Sequence, residues 1–188
     1  MRFLLTASLA ASAIFQCAAG PIDFTPTEGQ RQLEGMIFPL VMFHQDDHLI
    51  TYEPPRGWTY TGDPAHVVLT PPKVSQARAS MEQVSLPSPQ TFDEATVEQL
   101  RQVVLGSLPP DAQNVQFVAA ENNPVRIDQQ DSYEITASYS YFGQPYQVSV
   151  IFANLGELQV RFRIVARKED FEDLHRAFRG SLFSLHWS

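Results

Sequence analysis

The sequence predicts an α+β fold, an antiparallel sheet packed by helices, and two patterns carry that prediction. From Tyr133 to Ala166, apolar and polar residues alternate through three successive runs, the period of strands that bury one face. Beside this block, two stretches repeat apolar residues at spacings of three and four, the stripe of an amphipathic helix: Val97, Leu100, Val104 and Leu108, then Phe171, Leu174, Phe178 and Leu182. A chain of 188 residues, 44% of them hydrophobic and 11% aromatic, can enclose a core around such a sheet without disulfides or metal.

Residues 1–19 read as a signal peptide. Arg2 gives a positive start, Phe3 to Phe15 is apolar apart from Thr6, Ser8 and Ser12, and Cys17-Ala18-Ala19 offers small residues to a signal peptidase. The expected cut lies between Ala19 and Gly20, because a cut one residue later would put Pro21 just after the scissile bond. The apolar stretch is shorter than the roughly 20 residues that span a bilayer, so no transmembrane segment is expected in the mature chain. A lipid anchor at Cys17 is the alternative, but lipoprotein signals want a small residue before the cysteine and Gln16 stands there. Removing the leader removes the one cysteine, which excludes thiol nucleophiles, disulfides and cysteine-based metal sites together.

The next segment, 20–34, is polar and carries Pro21, Pro26 and Gly29; it reads as an extended lead-in that contributes no core. A single α+β domain is expected over 35–188. Met36 to Phe43 and His48 to Tyr52 read as strands flanking the turn Gln45-Asp46-Asp47, with Pro39 marking an edge or a bulge. His66 to Thr70 is a third strand, and Arg78 to Leu86, with little alternation, a fourth. Thr91-Phe92-Asp93-Glu94 has the spacing of a capping box and opens the first helix, which Pro109-Pro110 closes. Val115 to Ala120 is a strand, and Val125-Arg126-Ile127 a short one or its continuation.

The meander follows. Tyr133, Ile135, Ala137, Tyr139 and Tyr141 share one face; Gly143-Gln144-Pro145 turns the chain; Tyr146, Val148, Val150 and Phe152 run back. Asn154-Leu155-Gly156 turns it again into Leu158, Val160, Phe162 and Ile164. Glu169, Asp170, Glu172 and Asp173 gather at the start of the terminal helix, where the helix dipole favours negative charge. That helix is expected to lie on the sheet.

This order of elements resembles the Mog1/PsbP-like fold group. The residues that carry the likeness are Tyr52-Glu53-Pro54-Pro55-Arg56-Gly57-Trp58, the central helix, the long meander, and a terminal helix closing on Ser181-Leu182-Phe183-Ser184-Leu185-His186-Trp187. The resemblance covers roughly His48 to Trp187 and implies an α/β/α sandwich. Members of the group differ widely: one binds a small GTPase, others are extrinsic photosystem subunits, and several exported bacterial ones have no settled role. The resemblance therefore implies a fold without a function.

Candidate sites are few. His44-Gln45-Asp46-Asp47-His48 gathers two imidazoles and two carboxylates, a donor set that could hold zinc, copper or nickel through His44, Asp46, Asp47 and His48. The alternative is a polar hairpin turn, since the spacing matches no established zinc motif. Tyr133, Tyr139, Tyr141 and Tyr146 could line a ligand surface, and Arg161 and Arg163 with Arg167 and Lys168 could meet an anion; Tyr139, Tyr141, Arg161 and Arg163 form the candidate ligand surface. Their alternation equally suits core packing for the tyrosines and a mixed-charge strand face for the arginines. Trp58 and Trp187 read as packing anchors.

Charge and missing motifs exclude more. With 13 Lys+Arg against 21 Asp+Glu the net charge is -8, so nucleic acid and anionic membrane surfaces are poor partners. There is no Gly-x-Ser-x-Gly elbow, phosphate-binding glycine loop, Gly-x-Gly-x-x-Gly or His-Glu-x-x-His, and no cofactor is expected. The reading is an exported domain, periplasmic or extracellular, without catalytic residues, that binds an envelope protein or a small ligand. A metal-binding module, or an enzyme whose carboxylate and histidine site the spacing hides, are the alternatives.

Overall fold

A computed structural model describes residues 20–188, so the expected signal peptide, 1–19, and Cys17 lie outside the described residues. In chain order the elements are β1 (Asp23–Leu33), β2 (Met36–Gln45), β3 (His48–Tyr52), β4 (Thr59–Gly62), β5 (His66–Thr70), β6 (Arg78–Ser85) and α1 (Glu94–Gly106). Then come β7 (Gln113–Asn122), β8 (Ser132–Tyr141), β9 (Gln144–Leu155), β10 (Leu158–Arg167), α2 (Lys168–Ser181), a 3-10 turn at Leu182–Ser184, and β11 (His186–Trp187). They form a seven-stranded sheet ordered β4-β5-β6-β10-β9-β8-β7 and a four-stranded sheet ordered β1-β2-β3-β11. Every pairing in both is antiparallel.

The expected meander is β8-β9-β10, and it forms the middle of the larger sheet. The chain leaves β6, crosses through α1 to the far edge at β7, and the meander brings it back until β10 pairs with β6. The turns fall at Phe142-Gly143 and Gly156-Glu157, so Gln144-Pro145 and Asn154-Leu155 belong to strands and not to turns. Phe142 (φ 47) and Gly143 (φ 71) both take the left-handed backbone that a two-residue hairpin with right-handed twist requires.

Each face of the larger sheet buries its own core. On one face, Leu100 and Val104 of α1 pack on Ile135, Ala137, Val148, Val150 and Phe152. On the other, Phe171 and Phe178 of α2 share a cluster with Ile151, Val160, Phe162 and Ile164, and with Val41, Phe43, Ile50 and Tyr52 of the smaller sheet. The expected sandwich is thus present, with the smaller sheet sharing the α2 side. The strands of the meander are covered on both faces rather than one, and this decides where the candidate site lies.

Several expectations are corrected. The segment 20–34 is not a coreless lead-in: β1 pairs with β2 over eight register positions, and Ile22 and Phe24 are 2% and 3% exposed. A register shift between Asp23 and Thr27 absorbs Pro26, which has no N–H to donate. Pro39 behaves as expected, because it lies in the half of β2 that reaches past β3 and pairs only with Gln30. Thr59–Gly62 is a strand without any sequence signal strong enough to show it. Val125 to Ile127 makes no strand, only an isolated bridge between Ile127 and Gln130, although Val125 and Ile127 are core. Asp93, not Thr91, caps α1 by accepting from the Thr96 amide at 2.8 Å. The Asp93 carboxylate reaches the third amide of the helix directly, and Thr91 stands two residues before that cap.

Trp58 stacks on Phe178 with centroids 6.3 Å apart, and Trp187 is partly buried with its indole N–H on Gln45 Oε1 at 2.8 Å. Both act as packing anchors.

Candidate functional site

Alternation sends Glu134 to the face of β8 opposite Ile135, and α2 covers that face. Glu134 is therefore 3% exposed, a carboxylate in the interior, where it must be paired and hydrogen-bonded. It is. Ser149 on β9 donates its hydroxyl to Glu134 Oε1, and His175 on α2 shares the same oxygen through Nε2. Arg179, one helical turn beyond His175, donates from Nη1 to Glu134 Oε2 at 3.2 Å.

Arg179 has a second task. Glu121 on β7 stands directly across from Glu134 in register, a like-charge pair that would destabilise the edge of the sheet. The guanidinium lies against both carboxylates: Nη1 donates to Glu121 Oε2 at 2.7 Å and Nη2 to Glu121 Oε1 at 2.8 Å, a planar two-pronged fit. Nη2 also donates to the Pro124 carbonyl at 3.1 Å, which ties down the β7–β8 connection. Phe171 stacks on the His175 ring at 5.2 Å and 8°, fixing the imidazole from the helix side.

Burial would push the Glu134 carboxyl up, but the hydrogen bonds from His175 and Ser149, then the charges of His175 and Arg179, outweigh it. They hold the carboxyl below its ordinary range. The chemistry this permits is limited. A serine nucleophile needs a base to receive its proton and a path for substrate. Ser149 and His175 both bond to Glu134 and not to each other, Ser149 is 1% exposed, and a carboxyl held below its ordinary range is a weak base. The cluster positions side chains; it does not assemble a nucleophile and base.

What it positions is the flank of α2. His175 and Arg179, with Glu172, Arg176, Gly180 and Phe183, line an open groove of about 380 Å³. Phe183 is 68% exposed, an aromatic face in water that lines the same groove as Arg176. Arg176 pairs with Glu172 at 2.8 Å and Asp173 at 3.3 Å, exposed contacts of small energy that a ligand could exchange.

The residues singled out in the sequence lie elsewhere. His44 and His48 are exposed on the β2–β3 hairpin, and Asp46 accepts the Gly20 amide at 2.7 Å. Among the described residues, no three His, Cys, Asp or Glu side chains converge as a metal would require. The candidate ligand surface divides. Tyr139 is 5% exposed and stacks on Tyr146 at 5.6 Å, while half-buried Tyr141 meets Tyr146 edge-on at 6.3 Å. Arg163 donates from Nη2 to the carbonyl of Ser107, the residue that caps the C-terminal end of α1, at 3.2 Å, a cation at the negative end of a helix dipole. Arg161 donates to Gln159, which donates to Asn154, which holds the Gln90 carbonyl in the loop entering α1. Arg161 and Arg163 therefore fasten α1 and its approach to the sheet. The open strand face that the alternation suggested is covered, because α1 lies over it.

The sequence offered one unused signal for the true cluster. Two amphipathic helices each need a sheet face, so the polar positions Glu134, Thr136 and Ser149 had to be covered as well.

With this geometry in hand, comparison with solved structures places the chain. A Pseudomonas aeruginosa protein of unknown function, PA94, superposes with a TM-score of 0.52 at 9% identity, over 85% of this chain and 96% of that one. LpqN of Mycobacterium tuberculosis, described as involved in cell envelope biogenesis, gives 0.53 at 14%, over 88% and 93%. Cyanobacterial PsbP from Synechocystis sp. PCC 6803 gives 0.48 at 15%, over 97% and 98%. The first two likenesses show the fold, which is Mog1/PsbP-like, and at these identities they show nothing finer. No protein-family model matches the chain, and no curated protein does.

Proposed function

We propose that the chain is an exported binding domain without catalytic residues, whose recognition surface is the α2 groove and whose ligand is an envelope protein or a small molecule. The observation that carries this is the buried Glu134, which locks His175 and Arg179 at the side of an open groove bearing an exposed phenylalanine. A rigid polar floor beside an exposed aromatic is an arrangement for recognition, where a few fixed groups set orientation and an apolar face supplies contact. Three further observations support export. The first residues have the make-up of a signal peptide, the chain after Ala19 lacks cysteine, and no helix among the described residues is long and apolar enough to cross a membrane. The described role of LpqN in cell envelope biogenesis agrees with such a location.

Crosslinking in envelope extract tests the surface. The wild-type protein should trap a reproducible partner or retain a small molecule by native mass spectrometry. A Phe183→Ala/Arg176→Ala variant of unchanged thermal midpoint should lose it. Equal capture by both proteins would move recognition away from α2.

A further inference from the structure

We propose that the fold contains a receptor for its own newly cut amino terminus: hydrolysis of the Ala19–Gly20 bond frees an ammonium on Gly20, and the Asp46 carboxylate holds it. Gly20 N lies 2.7 Å from Asp46 Oδ2. A Cβ on Gly20 would sit 2.3 Å from Asp46 Oδ1 and 2.9 Å from Oδ2, so both carboxylate oxygens lie close against this residue and the Asp46 side chain would have to swing aside to admit a larger one. An internal amide offers one hydrogen and no charge to that carboxylate, whereas a terminal ammonium offers three hydrogens and a full charge. The receptor therefore matches a chain that starts at Gly20 better than one that passes through it. Asp46 holds a left-handed backbone, φ 52, which aspartate tolerates better than most residues and which the tight β2–β3 turn imposes.

The neighbouring contacts are built for the same task. Gln45, 4% exposed, donates from Nε2 to the Gly20 carbonyl at 2.8 Å, while its Oε1 accepts the Trp187 indole at 2.8 Å. One buried amide thus grips Gly20 and the last strand together. Two residues on, the backbone N–H and carbonyl of Ile22 both bond to the Gln83 side chain, at 2.7 and 2.6 Å. The chain is fixed from Gly20 onward, and the residues just before it, Cys17-Ala18-Ala19, are small, as a signal peptidase requires.

The covalent step is a hydrolysis by a peptidase of that class. Water gives its oxygen to the Ala19 carbonyl carbon, the C–N bond breaks, and Gly20 nitrogen ends with both of the water's protons. At neutral pH the products are the Ala19 carboxylate and the Gly20 ammonium. No oxidant, reductant or group donor is needed.

This inference rests on the export reading, and the experiment separates the two. The full chain is produced in a secreting bacterial host, and the exported protein is examined by intact mass and amino-terminal sequencing. The first residue should be Gly20. A chain that starts elsewhere, including an acylated Cys17, overturns the receptor but leaves export standing; protein that stays uncut in the cytoplasm overturns both. The protein starting at Gly20 is then compared with a form begun at position 17 with Cys17→Ser, and each is paired with its Asp46→Asn variant. The Gly20 form should melt about 1–4 °C higher than the extended form, a difference that Asp46→Asn abolishes. Asp46→Asn should also speed labelling of the Gly20 amine by an amine-reactive reagent about fivefold. Equal melting of the two forms, or labelling unaffected by Asp46→Asn, refutes the receptor.

Discussion

Removing the Glu134 carboxylate is the most direct test of the reading of the buried cluster. In Glu134→Ala, the 1%-exposed hydroxyl of Ser149 loses its acceptor, at about 1–3 kcal/mol for an orphaned buried group. His175 loses its partner on the same oxygen, while Arg179 keeps its two-pronged contact with Glu121 and so adds little. With the side chain's methylenes also removed from the interior, the loss should total about 3–5 kcal/mol, the range for breaking a buried charged pair from one side. For a domain of this size that is a fall of roughly 10 °C in thermal midpoint. Glu134→Gln keeps the shape and one acceptor oxygen, and should cost about 1–2 kcal/mol. Urea denaturation at pH 7 with a calorimetric scan of each variant supplies both numbers. A fall of less than about 2 °C in Glu134→Ala would mean that α2 sits on the sheet by its apolar stripe alone, and the cluster would lose the positioning role assigned to it.

Further expectations follow from the same contacts. Because the Glu134 carboxyl is held below its ordinary range in the fold, its contribution is complete at neutral pH and is lost as acidity carries the solution down through the folded value; urea midpoints between pH 7 and pH 3 should fall less steeply in Glu134→Gln than in wild type. Arg179→Met leaves Glu121 and Glu134 facing each other and should cost about 2–4 kcal/mol, of which Glu121→Gln in the same chain should restore a part; strict additivity in that double-mutant cycle would show that the guanidinium does not bridge the two strands. Gln45→Leu strands the Gly20 carbonyl and the Trp187 indole N–H and should lower stability by about 2 kcal/mol, read by the same denaturation series. Calorimetric titration with zinc and copper should give no heat that disappears in His44→Ala/His48→Ala, because among the described residues no three His, Cys, Asp or Glu side chains come together as a metal would require.

Most of the architecture was legible because it is written in periods. Strands β8, β9 and β10 and both helices follow from alternation and from three-four spacing, which depend on which side chains face the core and little on context. β1 and β4 were not legible for the opposite reason. The residues Asp23 to Leu33 have Phe24 as their only early apolar anchor, and their strand geometry comes from pairing with β2, a tertiary contact that no local pattern announces. Thr91, the expected cap of α1, and Asp93, the observed one, stand two residues apart in one polar run, and only the reach of each side chain to an amide decides between them. The candidate site was hidden by the rule that exposed the fold. Alternation assigns Glu134 and Ser149 to the polar side and thus to water, yet the second helix covers that side. The two partners of Glu134 on α2 come from positions 41 and 45 residues further along the chain, a distance at which local spacing carries no information.

Under the proposed function, the placement of the cluster separates stability from recognition along one helix. Phe171 and Phe178 point α2 into the core, and His175 and Arg179, on the flank toward β8, are held by a carboxylate that belongs to the sheet. An apolar stripe alone tolerates sliding and rotation, since hydrophobic contact is not directional. A charged fork on two carboxylates of adjacent strands does not, because its bonds fail within a few tenths of an ångström. The register of α2 on the sheet is therefore set by polar contacts, and with it the position of Arg176, Gly180 and Phe183 on the open side. Those three are exposed, so under the proposed function substitutions there should change recognition without unfolding the domain, while Glu134, Ser149 and Arg179 set the frame.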